Sequence, residues 1–365
     1  MSKKLLIIGN NSGGLYGFRG MLLSRLVEEG NKVVVLTPFD DNIEELESIG
    51  VRLINTPIER RGLNPFKDFQ LMKLYYKFIQ RFRPDLVITY TIKPNIYGGL
   101  LCRIKRIPYA INITGLGTAF QKKGILRKLI VVLYKVSGKK AKVVFFENIE
   151  NKQIFVNEHI TREEQCCLLN GAGVDLEKYV YYPYPTDNEE ARFLFIGRVM
   201  KEKGIDELFE AMKMLRKEVA NCTLDIVGRY EEDYKEQIEK YEKEGWVRYH
   251  GYQKDVRPFI ANCHCFVLPS WHEGMANTNL ECAAMGRPVI TSNIHGCMES
   301  VEDHRTGYLC KYKDADALYK VMKKFTNLTY EERKNMGLAG RQRMKEIFDK
   351  KKVVEFTINK LNCWS

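Results

Sequence analysis

Short apolar runs alternate with longer segments of helical character, and this alternation constrains the fold of the chain more than any other feature. It is typical of repeated βα units, in which each helix returns the chain across a sheet and the strands run parallel. In the first half it predicts strands at 5–9, 32–37, 52–55, 86–90, 109–114 and 143–147. In the second half it predicts strands at 192–197, 222–227, 247–250, 265–269, 289–292 and 307–310. The predicted fold class is therefore α/β, with two doubly wound parallel sheets.

A length of 365 residues favours two domains, because one hydrophobic core rarely serves so long a chain. Residues 181–188 have linker character, since Pro183 and Pro185 resist both helix and central strand. The sequence of residues 331–364 predicts two final helices. We expect domains at 1–183 and 184–345, followed by a terminal segment at 346–365.

The positive charge of the chain is concentrated in its first half. Of the formal net charge of +12, residues 1–185 contribute +11, from 28 Lys and Arg against 17 Asp and Glu. Between Asp85 and Glu147 there are twelve basic residues and no acidic one. We expect this half of the chain to bind an anionic surface or substrate. Nucleic acid is the competing partner for a basic patch, but no nucleic-acid motif accompanies it, so none is predicted.

Neither a secretory leader nor an apolar run of about 20 residues is present, so a cytoplasmic protein is expected. The ten cysteines are scattered and form no paired Cys-x-x-Cys pattern, which agrees with a reducing compartment. Cys263-His264-Cys265 does not predict a metal site, because neighbouring strand residues point to opposite faces and no second ligand pair follows.

Two glutamates, Glu273 and Glu281, follow the predicted strand at 265–269 and flank the start of a helix. Ligands of open α/β sheets bind at the carboxyl ends of strands, and the free amides of a helix start favour phosphate. Carboxylates can accept hydrogen bonds from sugar hydroxyls, so the pattern suits a sugar nucleotide. A structural explanation stays open, because Thr278 with Glu281 forms a capping box and Gly286 with Pro288 an ordinary helix stop. Glu273 has no such capping role and no obvious partner.

The glutamate segment, with Pro269-Ser270 before it and Gly286-Arg287-Pro288 after it, resembles the E-x7-E segment of retaining GT-B glycosyltransferases of family 4. The stretch Gly197-Arg198 to Lys203-Gly204 is similar to that family's Gly-Arg…Lys-Gly loop. Further matches lie at 224–228, 250–252, 170–175 and 13–14. Six matches in the family's order extend over nearly the whole chain. The resemblance implies a GT-B fold, in which two Rossmann-like domains face a cleft and the last helix crosses back to the first domain.

The resemblance implies catalytic roles for Arg198 and Lys203, which would grip the donor diphosphate, and for Glu273, which would contact the transferred sugar. Glu281 would bind the ribose, and the region of Gly228 and Tyr252 would hold the base. The donor-binding residues that we predict are Gly13, Gly14, Gly197, Gly228, Tyr252, Gly274, Met275, Ala276, Asn277, Thr278, Asn279, Leu280 and Glu281. No Asp-x-Asp metal motif is predicted in a strand-end loop, so the two cations favour transfer without a metal and no cofactor is predicted.

The run that follows the strand at 109–114 departs from the family, many members of which have a histidine there. Its Thr-Gly-Leu-Gly form resembles bacterial transferases that extend undecaprenyl-diphosphate-linked sugars, including N-acetylgalactosaminyltransferases of protein glycosylation. In place of the histidine, candidate contacts to the acceptor or the sugar are Asn112, Thr114 and Gly115. The partners implied are a UDP-sugar and an undecaprenyl-diphosphate-linked saccharide.

Residues 122–135 mix apolar and basic residues at helical spacing, with Lys122, Lys123, Arg127 and Lys128 as candidate membrane-facing cations. Such a helix can lie on an anionic membrane, although its apolar face could instead pack against the sheet. A peripheral location on the cytoplasmic face of the inner membrane is expected.

The predicted function is retaining transfer of a hexose or N-acetylhexosamine from a UDP-sugar to a lipid-diphosphate-linked saccharide during surface-glycan synthesis. Two alternatives remain: an enzyme similar to UDP-N-acetylglucosamine 2-epimerases, which would need no acceptor, and a non-catalytic GT-B protein that only binds glycans.

Overall fold

The computed structural model describes residues 2–58, 64–117, 120, 124–186 and 190–363. The chain divides into two compact units, one formed by Met1–Ala172 with Lys350–Ser365 and the other by Gly173–Asp349. From the sequence we placed the boundaries after residues 183 and 345, whereas the contacts within each unit place them after Ala172 and Asp349.

The first unit contains one sheet of seven parallel strands among its described residues, in the order β3-β2-β1-β4-β5-β6-β7. The strands are β1 (Lys4–Ile8), β2 (Lys32–Thr37), β3 (Arg52–Asn55), β4 (Leu86–Tyr90), β5 (Tyr109–Ile113), β6 (Val143–Phe146) and β7 (Cys166–Leu168). Most strand residues are buried because both faces of the sheet are covered. The strand order reverses direction between β1 and β4, which is where ligands of such sheets bind.

The helices of the first unit cover both faces of this sheet. They are α1 (Ser12–Glu28), α2 (Ile43–Ser48), α3 (Pro65–Phe82), α4 (Gly99–Lys105), α5 (Ile125–Gly138), α6 (Ile149–Asn157) and, from the far end of the chain, α13 (Lys350–Asn362). A π-helical turn at Pro94–Gly98 precedes α4. The side chains of Val354, Ile358 and Leu361 on α13 join the core formed by α1 and one face of the sheet.

The second unit contains six parallel strands among its described residues, in the order β10-β9-β8-β11-β12-β13. The strands are β8 (Ala191–Ile196), β9 (Cys222–Val227), β10 (Val247–Tyr249), β11 (Cys265–Leu268), β12 (Val289–Ser292) and β13 (Gly307–Cys310). The helices are α7 (Ile205–Arg216), α8 (Lys235–Lys243), α9 (Arg257–Asn262), α10 (Asn277–Ala284), α11 (Ala315–Thr326) and α12 (Tyr330–Ile347). The strand order here reverses between β8 and β11.

The predicted fold class is confirmed: both units are doubly wound and parallel, and all twelve predicted strands are present within a residue at either end. One strand was missed, β7, because its three residues are too few to show a pattern. The two final helices also lie where the sequence predicted them, at Tyr330–Ile347 and Lys350–Asn362.

The described part of the predicted linker packs onto the second unit. Tyr184 is buried and its hydroxyl donates to the His264 carbonyl at 2.9 Å. The guanidinium of Arg287 donates to the carbonyls of Tyr182 and Pro183 at 3.1 and 2.9 Å. The proline-rich composition therefore indicates irregular backbone here, but not a free linker.

Arg287 is fully buried and binds main-chain carbonyls instead of a carboxylate. Besides the two linker carbonyls, its nitrogens donate to Ile260 and Ala261, both at 2.8 Å, in the last turn of α9. They also donate to Met285 and Gly286 just after α10. Carbonyls at helix ends lack intrahelical donors and carry the negative end of the helix dipole, so one cation satisfies several of them.

Within the described ranges, none of the helices combines the length and the apolar composition that crossing a lipid bilayer requires.

Candidate active site

The carboxyl ends of β8 and β11 bring two predicted site loops together, because these strands are neighbours in the second sheet. The loop after β8 contains Arg198 and Lys203, and the loop after β11 contains Glu273. Main-chain contacts join the loops: the Trp271 amide donates to the Glu202 carbonyl at 2.9 Å, and the Ser270 hydroxyl donates to the same carbonyl at 3.2 Å.

Glycines allow the backbones of these loops to touch. Gly228 has a positive φ of 152°, and a Cβ there would lie 1.8 Å from the Gly197 carbonyl oxygen. At Gly204, with φ 74°, a Cβ would lie 2.1 Å from the Pro269 oxygen. Since real Cβ atoms do not approach so closely, both positions require glycine. The structure thus brings the predicted Gly197 and Gly228 side by side.

Lys203 and Glu273 form an ion pair, with Nζ 2.5 Å from Oε1 and with side chains 18% and 13% exposed. Lys203 ends a short 3-10 turn at Lys201–Lys203. The expectation that Glu273 lacks a partner is therefore wrong, because its partner lies 70 residues away in sequence, on the adjacent strand end. The pair fixes an ammonium and a carboxylate next to each other at the edge of the sheet.

Arg198 keeps a more exposed position. Its side chain is 50% exposed, and Nη1 lies 3.5 Å from a carboxylate oxygen of Glu231. A surface pair of this kind contributes about 0–1 kcal/mol, so it holds the guanidinium weakly. Arg198 can therefore turn toward an anion at small cost.

The helix α10 begins at Asn277 with Ala276 as its N-cap, and no side chain among the described residues caps it. The predicted capping box of Thr278 with Glu281 is therefore wrong, because Thr278 already lies inside the helix. Glu281 therefore has no capping role in this helix.

Several of the predicted amide donors are already engaged. The Ala276 amide donates to the Gly296 carbonyl at 2.7 Å, and the Asn279 amide donates to the Ala276 carbonyl at 3.0 Å. The Asn277 amide donates to Met275 at 3.0 Å. Met275, Ala276 and Leu280 bury their side chains, so any contact that they make to a ligand would come from the main chain.

Asn279 is a structural member of this helix, since it is fully buried. Its Nδ2 donates to the hydroxyls of Thr291 and Ser300 at 3.2 and 3.0 Å. Because Thr291 in turn donates to the Leu268 carbonyl at 2.8 Å, Asn279 anchors α10 to the ends of β11 and β12.

Glu281 is partly buried on α10, and its carboxylate is close enough to Tyr179 to act on the pKa of that phenol. Burial, together with this carboxylate, raises the pKa of Tyr179 far above the usual value for a phenol. Sequence reasoning missed Tyr179, although it lies four residues after Asp175 of a matched motif. Its aromatic ring gave no sign of a polar role.

Tyr252, predicted near the base, exposes 55% of its surface. The guanidinium carbon of Arg229 lies 4.2 Å from the centre of its ring. The adjacent Gly228 is held by two hydrogen bonds, from its amide to the Gly251 carbonyl and from the Tyr249 hydroxyl to its own carbonyl, both 2.8 Å. An exposed ring beside a fixed backbone can stack a planar base. Arg229 was not predicted.

A cavity of about 270 Å³ lies in the first unit, at the carboxyl ends of β1, β4 and β5. The predicted Thr114 and Gly115 line it. Asn112 does not, because its buried Nδ2 donates to the Thr89 carbonyl at 3.2 Å. The lining residues are Asn10, Ile58, Thr91, Ile92, Lys93, Thr114, Gly115 and Gly117.

Of the cavity residues that the sequence did not single out, Thr91 and Lys93 have unusual surroundings. Thr91 has a positive φ of 74°, and its buried hydroxyl has no hydrogen-bond partner in the part of the chain that the structure describes. Lys93 pairs with Asp68 at 2.8 Å, with the two side chains 12% and 11% exposed. Backbone strain and unpaired polar atoms concentrate at functional sites, so the positive φ and the unpaired hydroxyl of Thr91 favour a ligand here.

The Gly13-Gly14 pair opens α1 and has a structural explanation. Asn11 caps the helix, and its side chain accepts from the Gly14 amide at 2.5 Å. A Cβ at Gly13 would lie 2.9 Å from the Cβ of Asp41. The Gly14 amide is thus already used by the cap.

The amphipathic segment forms α5, which packs Ile130, Val131 and Tyr134 into the core of the first unit and leaves other apolar side chains exposed. Its most exposed apolar side chains are Ile125 (88%), Leu126 (42%), Leu129 (45%), Val132 (54%) and Val136 (40%). Lys128 is exposed, whereas Arg127 pairs with Glu158 at 2.5 Å. Lys122 and Lys123 lie outside the described residues. The alternative that the apolar face packs on the sheet holds for Ile130, Val131 and Tyr134, but not for the five exposed side chains.

Comparisons with known proteins agree with this architecture. The family model described as "Glycosyl transferases group 1" matches residues 183–343, and the model "Glycosyl transferase 4-like" matches residues 4–148. HepE from Anabaena, solved with UDP and glucose, has a TM-score of 0.80 at 17% identity, over 99% of each chain. WaaG, a glycosyltransferase of lipopolysaccharide biosynthesis, has a TM-score of 0.74 at 17% identity, over 96% of this chain and 99% of its own.

Two curated relatives act on lipid-linked sugars. The N,N'-diacetylbacillosaminyl-diphospho-undecaprenol alpha-1,3-N-acetylgalactosaminyltransferase of Campylobacter jejuni is 28% identical over 91% of each chain. The UDP-Gal:alpha-D-GlcNAc-diphosphoundecaprenol alpha-1,3-galactosyltransferase of Escherichia coli is 25% identical over 80% of this chain and 78% of its own.

Two parallel-sheet units, with a lysine, an arginine and a glutamate pair at the strand ends of the second, define a sugar-transferring enzyme of the GT-B class. The two matched segments together span most of the chain, which belongs to the GT-B glycosyltransferases with group 1 and family 4-like domains. It is a hexosyltransferase.

Proposed function

We propose that the protein transfers a hexose or N-acetylhexosamine from a UDP-sugar to an undecaprenyl-diphosphate-linked saccharide, with retention of configuration. The ion pair of Lys203 and Glu273 at the strand ends of the second sheet carries the donor half of this proposal. The Lys203 ammonium would stabilise the charge that develops on the leaving diphosphate, and Arg198 would turn in to join it. Glu273 would then face the transferred sugar, and no metal is needed.

The proposal assigns the remaining donor contacts to residues near this ion pair. The carboxylate of Glu281 would accept hydrogen bonds from the ribose hydroxyls, and the exposed ring of Tyr252 would stack the uracil. Since the amides of Ala276, Asn277 and Asn279 are already engaged, those of Met275 and Thr278 would hold the sugar and diphosphate oxygens.

The acceptor half of the proposal rests on the first unit. Hydroxyl, amide and ammonium groups share the cavity at the ends of β1, β4 and β5 with the apolar side chains of Ile58 and Ile92. Such a mixture suits a sugar ring, which has polar edges and an apolar face. The acceptors in the names of the two curated relatives are diphosphoundecaprenol-linked sugars. The net charge of +11 in residues 1–185 favours an anionic lipid carrier.

We also propose that α5 attaches the protein to the cytoplasmic face of the membrane that carries the acceptor. Its exposed apolar side chains follow helical spacing and are accompanied by the exposed Lys128 and Lys139. Apolar side chains that enter the headgroup region and cations near anionic lipid both favour binding.

Incubation with a panel of UDP-sugars and an undecaprenyl-diphosphate-linked N-acetylhexosamine in detergent is expected to lengthen the lipid-linked glycan by one sugar. The product would be followed by mass spectrometry, and its anomeric configuration by NMR. Excess EDTA is expected to leave the rate unchanged. The panel should contain UDP-galactose, UDP-glucose and their N-acetylated forms, which cover both the hexose and the N-acetylhexosamine of the proposal.

Each competing outcome of this assay would indicate a different activity. Isomerisation of the UDP-sugar without an acceptor would indicate an epimerase. Binding of the lipid-linked glycan without any product, for every donor in the panel, would indicate a protein that only binds glycans. A rate that collapses in EDTA would refute the metal-free part of the proposal.

Membrane attachment can be tested with the double variant Leu129→Glu/Val132→Glu. Burial of each apolar side chain is worth about 1.5–3 kcal/mol, so we expect at least about a tenfold loss of affinity for vesicles that contain anionic phospholipid. Flotation of the vesicles measures it. The matched control is Leu338→Glu, since Leu338 is 39% exposed in the second unit. Equal binding by the parent and the double variant would exclude α5 as the attachment site.

A further inference from the structure

Lys93 and Asp68, in the first unit, form an ion pair whose side chains are largely buried. Nζ of Lys93 lies 2.8 Å from Oδ1 of Asp68, and the two side chains are 12% and 11% exposed. Lys93 follows β4, whereas Asp68 belongs to the first turn of α3, which Asn64 caps through its side chain. The carboxylate therefore lies at the positive end of a helix dipole, and it holds the ammonium at the carboxyl edge of the sheet.

The backbone around Lys93 is fixed by buried amide side chains. Asn95, in the π-helical turn that follows, accepts from the Thr89 hydroxyl at 2.7 Å and donates from Nδ2 to the Asn112 carbonyl at 2.8 Å. The main-chain amide of Asn95 donates to the Thr91 carbonyl at 2.9 Å. These bonds join the turn to the ends of β4 and β5, so the backbone that carries Lys93 has little freedom left to lose when a ligand binds.

The pair with Asp68 determines which ligand the Lys93 ammonium suits. The pair has no net charge, and no other ionisable side chain is among the described residues that line the cavity. A phosphate would meet the carboxylate as well as the ammonium, so a neutral ligand is favoured. An ammonium has three donors and no acceptor, and within the described part of the chain only Asp68 accepts from it. Its remaining donors are available to acceptor oxygens of a ligand.

Among the neutral groups of a sugar, a 2-acetamido group fits these surroundings best. Its carbonyl is a stronger acceptor than a hydroxyl, which matches an ammonium that can only donate. Its methyl group needs apolar contacts, and the partly buried Ile58 and Ile92 line the same cavity. The volume of about 270 Å³ is below the usual range for small-molecule sites, so the cavity suits one sugar unit and not an oligosaccharide.

We propose that Lys93, positioned by Asp68, selects an acceptor whose terminal sugar is N-acetylated. The ammonium donates to the acetamido carbonyl, and the acetamido methyl lies against Ile58 and Ile92. The inference rests on the proposed function, because it places the acceptor sugar in this cavity. A sugar with a hydroxyl in place of the acetamido group would give the ammonium a weaker acceptor and would leave the two isoleucines without the methyl.

The test measures transfer to prenyl-diphosphate-linked N-acetylglucosamine and to prenyl-diphosphate-linked glucose, which differ only in the substituent at carbon 2. In the parent we expect kcat/KM to be about 10²-fold higher for the N-acetylated acceptor, from the charged hydrogen bond together with the methyl contact. In the double variant Asp68→Asn/Lys93→Met this preference should fall to about tenfold, because only the methyl contact remains. The second change avoids an unpaired buried carboxylate.

The preference is a ratio measured within one protein, so a general loss of stability or activity cancels from it. Lys93→Arg is a second variant, which keeps the charge next to Asp68 but moves the donors, and its preference should fall as well. Lys73→Met is the matched control, because Lys73 is an exposed lysine on the helix that carries Asp68. The control should keep the preference of the parent.

Three results would each refute the inference alone: equal transfer by the parent to both acceptors, a preference that the Lys93 variants retain, or an equal fall in Lys73→Met. A parent that transfers to neither acceptor, with any UDP-sugar of the panel, would refute the proposed function together with it.

Discussion

Replacement of Lys203 by alanine is expected to lower kcat by about 10²- to 10³-fold, the usual cost of removing one preorganised group that stabilises developing negative charge. The Lys203 side chain is 18% exposed and already held by Glu273, so its ammonium needs little reorganisation when the diphosphate departs. The rate should be measured at saturating UDP-sugar, since the effect concerns the chemical step more than binding.

The variant also leaves Glu273 without its cation, which is expected to lower the free energy of unfolding by about 1–3 kcal/mol. Circular dichroism would establish that the fold survives. Lys201→Ala is the matched control, because Lys201 is an exposed lysine in the same short turn. Full activity in Lys203→Ala, or an equal loss in Lys201→Ala, would show that transfer does not depend on Lys203.

Replacement of Arg287 by methionine is expected to destabilise the second unit by about 4 kcal/mol or more. The change removes the donors of several buried carbonyls at once, and each unsatisfied buried group costs about 1–3 kcal/mol. Removing the buried charge also removes the free-energy cost of its desolvation, which offsets part of this loss. The offset is smaller than the loss, because the carbonyls at the ends of α9 and α10 already stabilise the charge well. At about 2–4 °C per kcal/mol, the Tm should fall by about 8–16 °C.

Differential scanning calorimetry would measure this fall, with Arg305→Met as the control. Arg305 is a loop arginine that is 67% exposed and pairs only with Glu302 among the contacts described for its side chain. The control should keep the Tm of the parent. A Tm in Arg287→Met within a degree or two of the parent would mean that water or local rearrangement satisfies the carbonyls.

The elements that the sequence predicted best are those whose signal is local. A buried strand such as Lys32–Thr37 carries its own apolar pattern and turn signals, so its bounds follow without knowledge of its neighbours. The loop glycines Gly197 and Gly228 were found in a different way, through the resemblance to family 4. The N-cap of α10 was predicted at Thr278, two residues after its observed position at Ala276, and that small error created a capping box that does not exist.

The missed features depend on residues that are distant in sequence. Glu273 meets Lys203 only because β8 and β11 are adjacent, and Lys93 meets Asp68 across two elements of the first unit. Arg287 lies between a glycine and a proline that both indicate a helix stop, which concealed its role in joining α9, α10 and the linker carbonyls. Composition and periodicity carry no information about pairs of residues that are distant in sequence, so only the three-dimensional structure identifies these contacts.

The first unit is discontinuous, and this affects the order in which it can fold during synthesis. Its last helix, α13, emerges from the ribosome only after all of Gly173–Asp349 has been translated. At about 5–20 residues per second this takes on the order of 10–35 s. Until then, the nascent first unit exposes the apolar groove beside α1 that later receives Val354, Ile358 and Leu361. The second unit has no such delay, so it can be complete while the first still awaits its final helix.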